Sequence, residues 1–475
     1  MTSECVLERL YHYAKESALH GHGVVVEVGA YRGASTVALA MGLQDAGHGK
    51  VHSIDPHKNY RGVLGGVFSP DDHIAYEALL KRYGVESWVA HYCCESAACA
   101  TSWTGAIDLI WLDGDHSYEG VAMDLKLWLS FLADGGILIL DDHSPDSEVE
   151  AAVRDHLPFS RYIPIERIGN TLVLRKTVKP RTLVLCGGMQ SSGSTLVSMC
   201  FLQRKDLDGV YDLDNPLIQQ DFSRVFTDMV WVKMTIGSFR LAELVDLYRA
   251  QGWQVWPILI TRTLEDILQS LVGKWYGLDG CTADDPPLRV RIMRYVKDIQ
   301  EAESSEWVII NYEDFIKAPE AALRQACDSL VLPWDERMLT WPVPESDFAY
   351  PSLGNESLKA LLSSGRGLLE TILAYTKRRN KTNNESNPVT YERMQQLLAE
   401  PQELSSLLPP CRYRGTRKNN LERQAQHLEE QTQYLIQYIN KLSNHIVIGR
   451  MLRFWVKYVN PNLLRFKTDN SSKDQ

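Results

Sequence analysis

Residues 24–35 read VVVEVGAYRGAS, and the order of these residue types decides the fold. Four valines and one glutamate form a short apolar run of the kind that makes a buried strand. Gly29 and Gly33 follow, and a helical pattern opens at Ala34. Glycines let the backbone turn sharply and approach a ligand closely, and the N-terminus of a helix supplies free N–H groups. Glu27, Gly29, Gly33 and Ser35 are therefore candidate cofactor contacts. Outward from this turn, the apolar runs Val51–Ile54, Ile107–Leu112, Ile137–Leu140 and Thr171–Leu174 alternate with helical patterns. Such alternation predicts a parallel sheet wrapped by helices.

The second run, VHSID, ends in Asp55, 26 positions after Gly29. An acidic side chain there can accept both ribose hydroxyls of an adenosine cofactor. That spacing fits a dinucleotide-binding oxidoreductase as well as a methyltransferase. The next segments carry more acid. IDLIWLDGDHSYEGVAMDL holds Asp113, Asp115 and His116 after its strand, and GGILILDDH holds Asp141, Asp142 and His143. Carboxylates at the ends of adjacent parallel strands converge on the crevice where such sheets bind ligands. Three of them together repel unless a cation lies between, and oxygen ligands favour Mg²⁺ or a similar hard ion. Asp115 reads as a cap for the following helix, and Asp124 as a solvated charge on it. His57 and His143 have no firm role beyond lining an acceptor pocket.

Gly29–Gly33, Asp55, Asp113-Gly-Asp-His116 and Asp141-Asp142 together resemble the metal-dependent class I O-methyltransferases that use S-adenosylmethionine. The resemblance is greatest to macrolide-sugar O-methyltransferases and the cephalosporin-hydroxylase-like group, and it spans residues 20–175. It implies a Rossmann-like domain in which Asp113, Asp141 and Asp142 hold Mg²⁺ or Mn²⁺ and His116 is the general base.

A second αβ unit starts at Thr182–Leu185 and continues through Val230–Lys233, Val255–Ile260 and Trp307–Ile310. The linker, Arg175–Pro180, is short enough to predict close packing of the two units. The expected domains are residues 1–178, 181–341 and a helical extension, 342–475, with the first able to fold alone. In the second unit, LVLCGGMQSSGSTLV sets Gly187, Gly188, Ser191, Ser192, Gly193, Ser194 and Thr195 between a strand and a helix. Small side chains, hydroxyls and backbone N–H groups make a phosphate cradle, although the GxxxxGK[ST] pattern is absent. SSGSTL resembles the 5′-phosphosulfate loop of sulfotransferases that use 3′-phosphoadenosine 5′-phosphosulfate (PAPS), with a P-loop-like fold. Arg262 and Ser270, eight residues apart, match that family's 3′-phosphate site, and Lys233 aligns with its lysine near the bridging oxygen. The chain departs from the pattern at Ser191, where many members carry Lys or Arg, and at Thr235, where cytosolic members carry histidine. Residues 157–426 contain no histidine, so no general base is assigned. Glu265 and Asp266 read as charges that stabilise the first turn of a helix.

The formal net charge of -10 argues against a nucleic-acid partner. No apolar run reaches the roughly 18–20 residues of a membrane span. The N-terminus lacks a signal core, and nine scattered cysteines form no CxxC pair, so a cytoplasmic protein with reduced thiols is expected. Leu421, Leu428, Leu435 and Leu442 recur every seven residues, which fits a short coiled coil or one amphipathic helix. From Ile446 onward, six basic residues mingle with Phe454, Trp455 and Tyr458. They fit peripheral contact with an anionic membrane or a terminal helix docked on its own protein, and a homo-oligomer is left open. The combined expectation is a bifunctional enzyme that methylates and sulfates hydroxyl groups of a sugar, glycan or glycosylated natural product. The alternative is a methyltransferase whose second domain only binds or scaffolds.

Overall fold

The computed structural model describes residues 2–210, 213, 216, 219–263, 266–267 and 288–339, all within one compact unit, Met1–Glu400. Ser270, Glu265, the leucine repeat and the basic C-terminal segment lie outside the described residues.

Helix α1 (Glu4–His20) opens the chain, with Ser3 accepting a hydrogen bond from the Val6 amide at its start. Its buried positions Val6, Leu10, Tyr13, Ala14, Ser17 and Ala18 recur at helical spacing and form one apolar stripe. Leu10 is fully buried, which contributes about 1.5–3 kcal/mol. The strands that follow are β1 (Val24–Val28), β2 (Lys50–Ile54), the short pair β3 (Tyr60–Arg61) and β4 (Val67–Phe68), β5 (Val89–Tyr92), β6 (Ile107–Leu112), β7 (Leu132–Leu140), β8 (Tyr162–Ile168) and β9 (Thr171–Lys176). Between them run α2 (Ala34–Ala46), α3 (Asp71–Tyr83), α4 (Ser96–Ser102), α5 (Tyr118–Trp128) and α6 (Glu148–His156). Seven strands form one sheet in the order β5-β2-β1-β6-β7-β9-β8. Its first five strands are parallel, β9 pairs antiparallel with β7, and β8 pairs antiparallel with β9. This is the Rossmann-like arrangement expected from the sequence. The chain leaves β1 toward β2 and later crosses back to β6, so the crevice lies beyond the C-terminal ends of β1 and β6.

A second sheet holds β10 (Thr182–Met189), β11 (Leu207–Val210), β12 (Met229–Ile236), β13 (Gln254–Thr261) and β14 (Val308–Asn311). Its order is β11-β12-β10-β13-β14, and every pairing is parallel. The helices α7 (Ser194–Phe201), α8 (Leu241–Ala250), α9 (Leu288–Glu303), α10 (Tyr312–Lys317) and α11 (Pro319–Ser329) accompany it. The expected strands are present, and the glycine-rich turn leaves the central strand, β10.

The two sheets share a core. One continuous apolar cluster contains Val26, Leu138, Leu157, Phe159 and Tyr162 together with Leu183, Phe222, Val232, Tyr248 and Trp253. At the seam, the buried Arg181 guanidinium donates to the carbonyls of Phe159, Tyr162, Val225 and Thr227. A boundary near 178–181 therefore separates the sheets but does not divide the core.

Candidate functional site

At the end of β1, the sequence places a carboxylate inside the fold. Glu27 is fully buried and accepts hydrogen bonds from Ser35 Oγ at 2.6 Å and Thr36 Oγ1 at 2.5 Å. Burial pushes its carboxyl up to about 7, against the pull of these hydroxyls. The side chains of Glu27 and Ser35 are thus hydrogen-bonded to each other. Gly29 has φ +87, and a Cβ there would meet the Asp113 carbonyl oxygen at 2.1 Å. The turn is glycine because the backbone after β6 crosses it. A Cβ on Gly33 would meet the Tyr76 ring at 2.9 Å. No side chain caps α2 at Gly33, so its first-turn amides form an uncapped positive end. Asp55 binds this loop from across the crevice: Oδ2 accepts from the Ala30 and Tyr31 amides, and Oδ1 from the His57 amide. Asp55 shapes the glycine turn as well as facing it.

The acidic residues after β6 and β7 gather beside that turn. His116 lies between two of them, with Nδ1 3.0 Å from Asp142 Oδ2 and Nε2 3.3 Å from Asp113 Oδ1. The Nε2 contact lacks hydrogen-bond alignment. Burial alone would lower the His116 pKa, but Asp113, Asp142 and Asp141 outweigh it and the value is raised. Burial, with repulsion from Asp141 and Asp142, pushes Asp113 up to about 6, against the pull of His116. Asp142 takes a left-handed backbone, φ +52, tolerable for aspartate. Asp141 Oδ1 accepts from Thr171 Oγ1 at 2.6 Å. This oxygen-rich donor set suits a hard dication chemically, and Asp113, Asp141 and Asp142 are the residues that would hold it. The His116 ring lies between Asp113 and Asp142.

Two neighbouring readings change. Asp115 does not cap α5; Ser117 does, accepting from the Gly120 amide. Asp115 instead accepts from the Ser117 amide and from Tyr60 Oη. Asp124 is not a solvated charge. It is 8% exposed, takes a hydrogen bond from Ser96 Oγ at 2.6 Å, and burial pushes its pKa up to about 6. It lines a pocket with Asp115, His116, Asp141 and Val121. His143 is buried, with its carbonyl and Nδ1 facing Arg167. Thr171, Tyr60 and Asp124 escaped sequence reading because each meets the site across the fold, with no spacing rule to mark it.

In the second sheet, the turn after β10 closes tightly. Ser191 has φ +70, and a Cβ on Gly188 would lie 2.3 Å from Ser192 Oγ. Gly193 has φ +96, and its Cβ would strike the Tyr312 ring at 2.2 Å. No side chain caps α7 at Gly193, so Ser194 and Thr195 open a helix with an uncapped N-terminus. Arg262 leaves the end of β13, donates to the Ser191 carbonyl at 2.9 Å and lies 4.5 Å from the Tyr312 ring centroid. Lys233 is buried on β12, beside Cys186 of β10, with Nζ 3.5 Å from Thr235 Oγ1. The structure thus brings Arg262, the Gly-Ser turn and the α7 N-terminus together. Sequence reading missed Arg291 of α9. It is 6% exposed and donates to Gln190 Oε1 at 3.1 Å. Its Nε and second Nη have no hydrogen-bond partner among the described residues. Nothing in its local sequence marks it.

Comparison with known proteins bears on the first site. Residues 26–143 match the sequence model of a family described as a methyltransferase domain. Among solved structures, the chain is similar to the SAH-bound methyltransferase PaMTH1 of Podospora anserina, at 17% identity, 37% coverage of this chain, 80% of that one, and TM-score 0.30. It is also similar to the O-methyltransferase TomG of Streptomyces achromogenes in complex with SAM, at 14% identity, coverage of 37% and 82%, and TM-score 0.29. A third is the O-methyltransferase of Bacillus cereus in complex with SAH, with the same identity, coverage and TM-score as TomG. The stretch that matches the methyltransferase model, residues 26–143, lies on the Rossmann-like sheet.

Proposed function

We propose that the first site transfers a methyl group from S-adenosylmethionine to a hydroxyl of a small-molecule acceptor, of the sugar or glycosylated natural-product class. The carrying observation is the cluster of Asp113, His116, Asp141 and Asp142 at the C-terminal ends of β6 and β7, beside a glycine turn tied to Asp55. S-adenosylmethionine supplies an electrophilic methyl, and Mg²⁺ or Mn²⁺ on Asp113, Asp141 and Asp142 would lower the pKa of an acceptor hydroxyl. Asp55 and the uncapped α2 amides bind and orient. Asp142 holds His116 Nδ1, which leaves Nε2 to take the hydroxyl proton. Binding of S-adenosylhomocysteine by calorimetry tests this before an acceptor is known. Asp55→Ala should weaken it at least about tenfold, since charge-assisted hydrogen bonds contribute about 1.5–3 kcal/mol each. Unchanged affinity overturns the assignment. Mn²⁺ titration followed by electron paramagnetic resonance should reveal one site, lost in Asp142→Asn. A wild type that binds no Mn²⁺ overturns the metal assignment.

For the second sheet, we infer a site for PAPS, supported by Arg262 against the Gly-Ser turn. Ser192, Gly193, Ser194, Thr195 and Gly188 would cradle the 5′-phosphosulfate, Arg262 and Ser270 would bind the 3′-phosphate, and Lys233 would face the bridging oxygen. Titration with 3′-phosphoadenosine 5′-phosphate is the test. Arg262→Ala should reduce affinity about 100-fold or more, a few kcal/mol, and Arg262→Lys should recover part of it because lysine lacks the planar fork. No binding by the wild type at millimolar concentration sinks this reading and leaves a scaffolding domain.

A further inference from the structure

Three histidines outside the acidic cluster come together on the far side of Asp55. His57 follows β2, His73 lies in α3 and His91 in β5. One ring nitrogen of each, taken together, lies within 4.8 Å of the others. The His57 and His73 rings stack at 4.7 Å between centroids, and His91 lies 5.1 Å from both.

The hydrogen bonding of the outer nitrogens sets the tautomers. His91 Nδ1 faces the Ser53 carbonyl at 3.2 Å. A carbonyl only accepts, so Nδ1 carries the proton and Nε2 keeps its lone pair. His57 Nδ1 lies 3.7 Å from Asp55 Oδ1, beyond hydrogen-bond reach, and the carboxylate charge favours a proton on that nitrogen. Nε2 of both rings is buried and has no hydrogen-bond partner among the described residues. Buried polar atoms are rarely left so. A ring whose far N–H meets a carbonyl or carboxylate while its other nitrogen is unpartnered is the arrangement that metal-binding histidines adopt.

We propose that His57, His73 and His91 form a second metal site, for a borderline transition-metal dication such as Zn²⁺. Three imidazoles with no carboxylate among them suit Zn²⁺ and its neighbours and not Mg²⁺. A tetrahedral site with Zn–N near 2.0–2.1 Å sets its nitrogens about 3.4 Å apart, so ring rotations of roughly 1 Å close the observed cluster. Glu77 Oε1, 3.6 Å from His73 Nε2, stands at the rim. The ion clamps the segment after β2 to α3 and β5, and so fixes the backbone that presents Asp55. This site stands independently of the methyl-transfer reading.

The test uses the full chain, stripped with chelator and carrying Asp142→Asn to silence the acidic site. Co²⁺ should bind with one equivalent, show the visible bands of imidazole-ligated cobalt and be displaced by Zn²⁺. Zn²⁺ should raise the Tm. Adding His73→Asn, at a ligand whose side chain is partly exposed, should weaken the metal about 100-fold or more, beyond the 10–100-fold typical of outer partners. The metal-free Tm and circular dichroism of that variant should be unchanged. His91→Asn should behave alike where it folds, and where it does not, His73→Asn decides. Absence of stoichiometric Co²⁺ and Zn²⁺ binding, or equal affinity with and without His73, overturns the site and leaves a packing cluster of aromatic rings.

Discussion

A carboxyl with no exposure and only hydroxyl donors around it holds its proton near neutrality, and Glu27 is such a group. Burial raises its pKa from 4.5 to about 7. A folded-state pKa above the unfolded one means that the folded chain binds the proton more tightly. This contribution is fully present below about pH 4.5 and is lost as pH rises through about 7, on the order of 3 kcal/mol. Glu27→Gln removes the titration while keeping a polar partner for Ser35 and Thr36. Denaturant melts at pH 5 and pH 8 should show wild type losing stability with rising pH and the variant losing less. Parallel slopes would place the titration elsewhere, since Asp124, pushed up to about 6 by burial, titrates in the same window. Glu27 was visible in the sequence as an acid at a strand end, but its burial was not. Strand alternation and a glycine turn locate the residue, whereas Ser35 and Thr36 claim it only once α2 folds back. Asp124 hid its burial for the same reason, because Ser96 reaches it from another helix.

Elements whose interior residues are apolar on both faces were legible, and of the edge strands only β14 was. β10, β12 and β13 are nearly all buried, and their valine and isoleucine runs announced them. β5 reads VAHY with every residue half-buried. β8 carries Pro164, Glu166 and Arg167 and has a register shift between Pro164 and Glu166. Proline and charge belong on edge strands, so such strands lack the signal by which central ones are found. The turn between β10 and α7 is the element on which the proposed second site depends. Gly193→Ala forces a Cβ into the Tyr312 ring at a positive φ, costing on the order of 1–3 kcal/mol for strain alone. Tyr312 also faces Arg262, so its displacement should reach the anion site. The variant should be less stable and should bind 3′-phosphoadenosine 5′-phosphate more weakly than wild type. A stability loss with unchanged binding would separate the turn from the site.

At the scale of the whole molecule, the short link between β9 and β10 makes the two sheets one folding unit. Linker length indicated close packing, but only the coordinates show that Leu157, Phe159 and Tyr162 complete a core with Phe222, Tyr248 and Trp253. Arg181 fixes that seam. It is fully buried, burial lowers its pKa to about 10, and its guanidinium satisfies four carbonyls from both sides. Arg181→Met keeps the bulk but leaves those carbonyls unpaired, at about 1–3 kcal/mol for each that cannot find water. A loss on the order of 3–5 kcal/mol should follow, in the range reserved for a broken buried network. A chain ending at 178 lacks this arginine and the whole second sheet, so Leu157, Phe159 and Tyr162 lose their cover, each worth about 1.5–3 kcal/mol when buried. Residues 1–178 alone should therefore bind a hydrophobic dye, show weak near-ultraviolet circular dichroism and aggregate, while the full chain does neither. If both proposed sites exist, the full chain should also lose S-adenosylhomocysteine binding and 3′-phosphoadenosine 5′-phosphate binding at the same denaturant concentration, because both would rest on one core. A 1–178 fragment that unfolds cooperatively would show that the seam is an interface between two finished cores.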